Sequence, residues 1–132
     1  MDSPQRTVAA AGAVALAMGV AGVLAPDRQV RLMGFSDSRA ARPLLTVSSL
    51  AAVNTGLLYL LGAAKGWPGF PAFTVRARAL MGGGLIALAA SGRAPKAFFG
   101  GGAWELAGAA VTAAVLGRKR ATRRLSTRSQ YW

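Results

Sequence analysis

Four long stretches of this chain carry almost no charge, and they restrict its possible folds more than any other feature. They are residues 7–25, 43–64, 73–91 and 97–117. The first two are free of charged residues, Arg76 and Arg78 interrupt the third, and Glu105 interrupts the fourth. A helix of about 20 apolar residues crosses the hydrocarbon core of a bilayer, whereas a helix of a soluble protein needs a polar face. The sequence therefore predicts an all-α fold, an integral membrane bundle of four transmembrane helices.

The segments that connect the predicted spans are short, and this places consecutive helices antiparallel. In 26–42, apolar residues alternate with arginines, which is typical of a short helix lying at the membrane interface. Segment 65–72 combines aromatic residues with two prolines, as in a stiff turn anchored at the interface. Residues 1–25 also fit a cleaved signal peptide, but the apolar run continues well past the cleavage motif Ala15–Ala17, which favours a retained span. We expect a single membrane domain over residues 1–132.

The distribution of basic residues indicates which partner balances a net charge of +12. Such a charge suits nucleic acid or an anionic surface, but these residues cluster in 28–42 and 118–132 instead of following one amphipathic face. We therefore expect no nucleic acid, and a lipid bilayer whose anionic headgroups attract the basic tail 118–132. The segments on the side of the two termini hold eight Lys and Arg, against six on the other side. This bias predicts that both termini are cytoplasmic.

The composition excludes several kinds of chemistry. The chain has no His and no Cys, so it lacks the usual ligands of zinc, copper and haem and the base of a Ser-His-Asp triad. We expect neither a metal nor a cofactor. The glycine triplets 82–84 and 100–102 lack the Lys-Ser/Thr of a phosphate-binding loop. With Gly12, Gly19 and Gly22 of the first span, they predict close helix packing instead.

Glu105 is the only acidic residue within any predicted span. An ionisable group at such depth is a candidate functional residue, and the alternative is an ion pair that locks two helices together. Asn54 lies at a comparable depth, and Arg78 lies nearer the cytoplasmic end of its span with a side chain long enough to cover much of the gap. We therefore expect both to meet Glu105 in the cytoplasmic half of the bundle. Glu105, Arg78, Asn54 and Tyr59 are the candidate catalytic residues, with Trp104 lining the same pocket.

The layout of the chain resembles small four-span integral membrane families known only as domains of unknown function. The resemblance covers about residues 8–117 and depends on Pro26 after the first span, Gly34-Phe35 in an arginine-bearing loop, and Arg78 before a glycine-rich third span. It implies no activity. Small multidrug transporters are similar in size and in having one buried glutamate, but they carry it in the first span.

Three functions remain open at this stage. The first is a non-enzymatic accessory or assembly protein that packs against a membrane-protein partner or a second copy, favoured by the lack of catalytic motifs. The second is a membrane-embedded enzyme of isomerase or cyclase type, acting on a lipophilic substrate, for example in secondary metabolism, with Glu105 as acid or base. The third is a small transporter coupled to protons through Glu105.

Overall fold

The computed structural model describes residues 1–36 and 38–128, and over these residues it contains five α-helices. They are α1 (Ser3–Leu24), α2 (Pro26–Leu32), α3 (Ser38–Ala64), α4 (Phe70–Ala90) and α5 (Ala97–Arg128). In this part of the chain, α1, α3, α4 and most of α5 are long and apolar enough to cross a membrane. The prediction of a helical chain with four long apolar helices is thus confirmed, and α2 lies where a short connecting helix was predicted.

α1, α3 and α4 begin three to five residues before the uncharged stretches, whereas α5 begins at Ala97 like its stretch. At α1, the Asp2 carboxylate accepts a hydrogen bond from the Gln5 backbone N–H at 3.1 Å, and the Gln5 side chain accepts one from the Asp2 N–H at 3.0 Å. This reciprocal capping satisfies two backbone donors that the helix leaves unpaired. At α4, Gly69 adopts a φ of 72°, which favours glycine, and Pro71 in the first turn suits a helix start.

The first part of the basic tail, residues 118–128, belongs to α5. α5 continues without interruption to Arg128, and residues 129–132 lie outside the described part of the chain. Residues 118–128 contain no glycine or proline, and alanine, lysine and arginine are strong helix formers. At about 1.5 Å per residue, α5 is about 48 Å long, more than the thickness of a hydrocarbon core.

Glycine allows α1 and α3 to approach until their backbones touch. A Cβ on Gly56 would lie 2.6 Å from the Leu16 backbone nitrogen, and one on Gly19 would lie 2.6 Å from that of Val53. Gly12 and Gly22 face the same neighbour. The prediction that small residues of the first span mediate close packing is therefore confirmed.

The glycine triplets pack α4 against α5 through only one member each. A Cβ on Gly82 or on Gly102 would lie 2.8 Å from the other's carbonyl oxygen. By contrast, Gly83, Gly84 and Gly100 have open space at the Cβ position. Each triplet thus supplies one residue that the close contact of α4 with α5 requires.

The two closely packed pairs, α1 with α3 and α4 with α5, meet through fewer contacts. The Thr112 hydroxyl donates a hydrogen bond of 3.1 Å to the Thr7 hydroxyl, joining α5 to the first turns of α1. Phe35, in the segment after α2, packs edge to face on Phe98 at the start of α5, with ring centroids 6.2 Å apart. The beginning of α1 therefore lies beside the later part of α5, whereas the beginning of α5 lies beside the segment that follows α2.

The Asp2 carboxylate also pairs with the Lys119 ammonium of α5. The bonds from Lys119 and the Gln5 N–H hold the pKa of Asp2 below its ordinary value of 3.8. Because this pKa is lowered by folding, the stabilisation is complete above about pH 4 and disappears as the pH falls through the lowered pKa. We expect the thermal midpoint of detergent-solubilised protein to fall as the pH is lowered below about 4, and to fall less in Asp2→Asn. Equal pH profiles for both proteins would contradict this role of Asp2.

Candidate functional site

An ion pair in the middle of two long apolar helices is the main polar feature of the structure. The Arg78 Nε on α4 donates a hydrogen bond of 2.7 Å to the Glu105 Oε2 on α5. The Arg78 side chain is 7% exposed and that of Glu105 is 27% exposed. The predicted contact between these two residues is confirmed. Pairing neutralises both charges as a unit, which lowers the cost of holding them within hydrocarbon.

Gly108 provides the space for the guanidinium of Arg78. A Cβ at position 108 would overlap the terminal nitrogens of Arg78. The Nη2 atom also lies 3.5 Å from the Trp104 carbonyl oxygen. The guanidinium therefore rests on the backbone of α5, between Trp104 and Gly108, while its Nε binds Glu105. The sequence predicts Gly108 as a small residue for close helix packing, but not as the seat of the Arg78 guanidinium. Its position one helical turn after Glu105 is the signal that could have identified this role.

Asn54 does not join this pair, and that prediction is wrong. Its side chain is exposed on α3, whereas Gly56 and Tyr59 are buried. A depth along the helix axis gives no information about the direction in which a side chain points. Residues advance by about 100° around an α-helix, so Asn54 lies about 160° from Gly56, which faces α1.

Tyr59 and Trp104 do lie beside the ion pair, as predicted. Together with Arg78 and Glu105 they line a cavity of about 220 Å³ between the α1–α3 pair and the α4–α5 pair. Most of the remaining wall consists of alanine and aliphatic side chains. The Tyr59 ring is held by edge-to-face packing on Phe70, with centroids 5.9 Å apart. Three of the four predicted site residues thus share one cavity.

The geometry fits a structural lock more closely than an acid–base centre. Arg78 is almost completely buried and its guanidinium is engaged by α5. Glu105 is the more accessible partner and lines the cavity, so it is the group that a ligand would reach. The cavity volume lies below the range of about 300–1,000 Å³ that is usual for ligand pockets.

Comparison with known proteins adds no relative, since no family model, curated protein or solved structure matches the chain. The class is therefore defined by the helices themselves. Four helices in the described part of the chain are long and apolar enough to cross a membrane, which is compatible with a small multi-pass membrane protein.

Proposed function

We propose that this chain is a four-span integral membrane protein that acts as a non-enzymatic accessory or assembly factor, in which Arg78 and Glu105 lock α4 to α5. The observation that carries the proposal is the buried guanidinium of Arg78, which is bound by Glu105 and seated over Gly108. A residue held in this way fixes a helix pair. It is not free to approach a substrate.

The outer surface supports a location in the bilayer. Leu24 and Leu80 are each 79% exposed and Leu44 is 72% exposed, whereas the buried core hydrophobics include the small residues Ala63 and Ala109. A soluble protein shows the reverse arrangement, with large apolar side chains inside. Small residues between helices and large ones outside are what lipid favours, because packing and not water drives helix association there.

The proposed orientation has antiparallel spans and both termini in the cytoplasm. Its support is the excess of Lys and Arg in the segments on that side. The pairing of Asp2 with Lys119 agrees with it, because the beginning of the first span then lies beside the end of the last. The basic end of α5 would meet anionic lipid headgroups there.

The structural role can be tested by replacing the whole pair with apolar residues. The double variant Arg78→Met, Glu105→Leu removes both charges, and such exchanges of buried pairs are often neutral or stabilising. In a strain of the source organism that lacks the gene, we expect the double variant to restore the wild-type phenotype. The single variant Glu105→Leu is the matched control, and we expect it to accumulate poorly because Arg78 is left unpaired.

A membrane-embedded enzyme is the second candidate, favoured by the cavity that Tyr59, Trp104 and Glu105 share. It predicts the opposite result in the same strain. If the double variant accumulates normally and fails to restore the phenotype, Glu105 performs chemistry and the accessory role is wrong.

A further inference from the structure

The outer face of α3 carries a heptad pattern that no helix of the described chain covers. Its residues are Val47, Leu50, Asn54, Leu57 and Leu61, which we call the α3 seam. All five are exposed, the four apolar ones by between 48% and 65%. Their alternating spacing of three and four residues is the pattern with which two helices pack as a left-handed coiled coil. Membrane helices pack with the same crossing geometry.

Asn54 occupies the centre of this seam. It lies ten residues before Ala64, the last residue of α3, and thus about 15 Å from the end of the span, near the middle of a bilayer about 30 Å thick. Within the described part of the chain, no hydrogen bond involves its side chain. An amide that faces hydrocarbon without a partner is costly, so Asn54 requires a hydrogen-bonding group from outside the chain.

We propose that a second copy of this chain docks on the α3 seam, with Asn54 of each copy hydrogen-bonded to Asn54 of the other. All copies in one membrane share the same orientation, so a two-fold axis along the membrane normal makes the two α3 helices parallel and in register. Each seam residue then meets its own counterpart. A carboxamide both donates and accepts hydrogen bonds, so this one residue is complementary to itself.

The position of Asn54 within the heptad agrees with a parallel pair. Val47, Asn54 and Leu61 occupy the a position of the heptad, and Leu50 and Leu57 occupy the d position. A single asparagine at the first of these positions fixes the register and the number of strands in parallel coiled coils. Asn54 is also the only asparagine of the chain, so no other helix offers an asparagine for such a pairing. The inference rests on the membrane location proposed above.

The absence of cysteine from the chain allows a direct test. Single variants Leu50→Cys, Leu57→Cys and Leu61→Cys place one thiol on the seam, and Leu80→Cys on α4, at a position 79% exposed, is the matched control. After oxidation in native membranes, we expect disulfide-linked dimers at the seam to exceed those of the control by about tenfold. Equal cross-linking at all positions, or a seam adduct with a chain of a different mass, would overturn the proposal.

The contribution of the amide is measured separately. Asn54→Leu removes it and keeps the apolar seam, and we expect the dimer to weaken by about threefold to tenfold in a dilution series of the solubilised protein. Asn54→Gln keeps a carboxamide and should retain most of the affinity. If the wild-type protein resists carbonate extraction from membranes but is monomeric, the dimer proposal is wrong and the proposed membrane location stands. Release by carbonate would instead defeat the proposed membrane location.

Discussion

Glu105→Gln is expected to lower the free energy of unfolding by about 3 kcal/mol, because it leaves the guanidinium of Arg78 buried without a counter-charge. Arg78→Gln should destabilise as well, since it leaves the carboxylate of Glu105 unpaired. The double variant should cost less than the sum of the two, because each single change has already removed the shared interaction. The measurement is reversible unfolding of the purified protein in mixed micelles.

Arg76→Gln is the matched control for this cycle. Arg76 lies on the same helix, two residues before Arg78, and it is exposed, so its replacement should change stability by less than about 0.5 kcal/mol. Single variants of the pair that behave like this control, or costs that simply add in the double variant, would show that the contact does not lock α4 to α5.

Gly56→Ala is expected to destabilise the protein by about 2 kcal/mol, although alanine is the better helix former. The new methyl group would lie 2.6 Å from the Leu16 nitrogen and 2.7 Å from the Gly12 carbonyl oxygen. Both are backbone atoms, so the clash cannot be relieved by a side-chain rotation. α1 and α3 must separate, and the loss extends along their whole contact.

Gly84→Ala separates this effect from helix propensity. Nothing lies within 4 Å of a Cβ at Gly84, so the same change there should be neutral or stabilising by up to about 1 kcal/mol. The measurement is the free energy of unfolding of the two variants under the same conditions. Equal stability of Gly56→Ala and Gly84→Ala would contradict the close approach of α1 and α3.

The long helices could be predicted because each contains a long stretch with almost no charge. The contact between Arg78 and Glu105 could be predicted for a related reason. Two opposite charges within apolar stretches both avoid lipid, so each is the other's most favourable neighbour. Tyr59 of α3 and Trp104 of α5 line the cavity beside them, as predicted.

Asn54 could not be placed in this way. One polar amide costs much less in lipid than a charge, so nothing in the sequence required it to face inward. Close contacts of Gly12, Gly19 and Gly56 fixed the rotation of α3 against α1, and that rotation turned Asn54 outward. The role of Gly108 was also missed, because its place one helical turn after Glu105 was not read together with the guanidinium of Arg78, which fills the space of the absent Cβ.

The helix ends were predicted less well than the spans. Sequence reasoning used charge to end each span, but charged and polar residues are good helix formers at the ends of helices. α3 therefore begins at Ser38, before the uncharged stretch 43–64, and α5 continues through the basic residues to Arg128.

The most direct test of the account is the topology of the chain in the membrane. Paired reporters, one active only in the cytoplasm and one active only outside it, can be fused after residue 132, within 65–69 and within 92–96. Four spans with cytoplasmic termini predict that the fusions at 132 and 65–69 give the cytoplasmic signal and that the fusion at 92–96 gives the opposite one. The same signal from 92–96 and from 132 would mean that α5 does not cross the membrane, and the four-span account would be wrong.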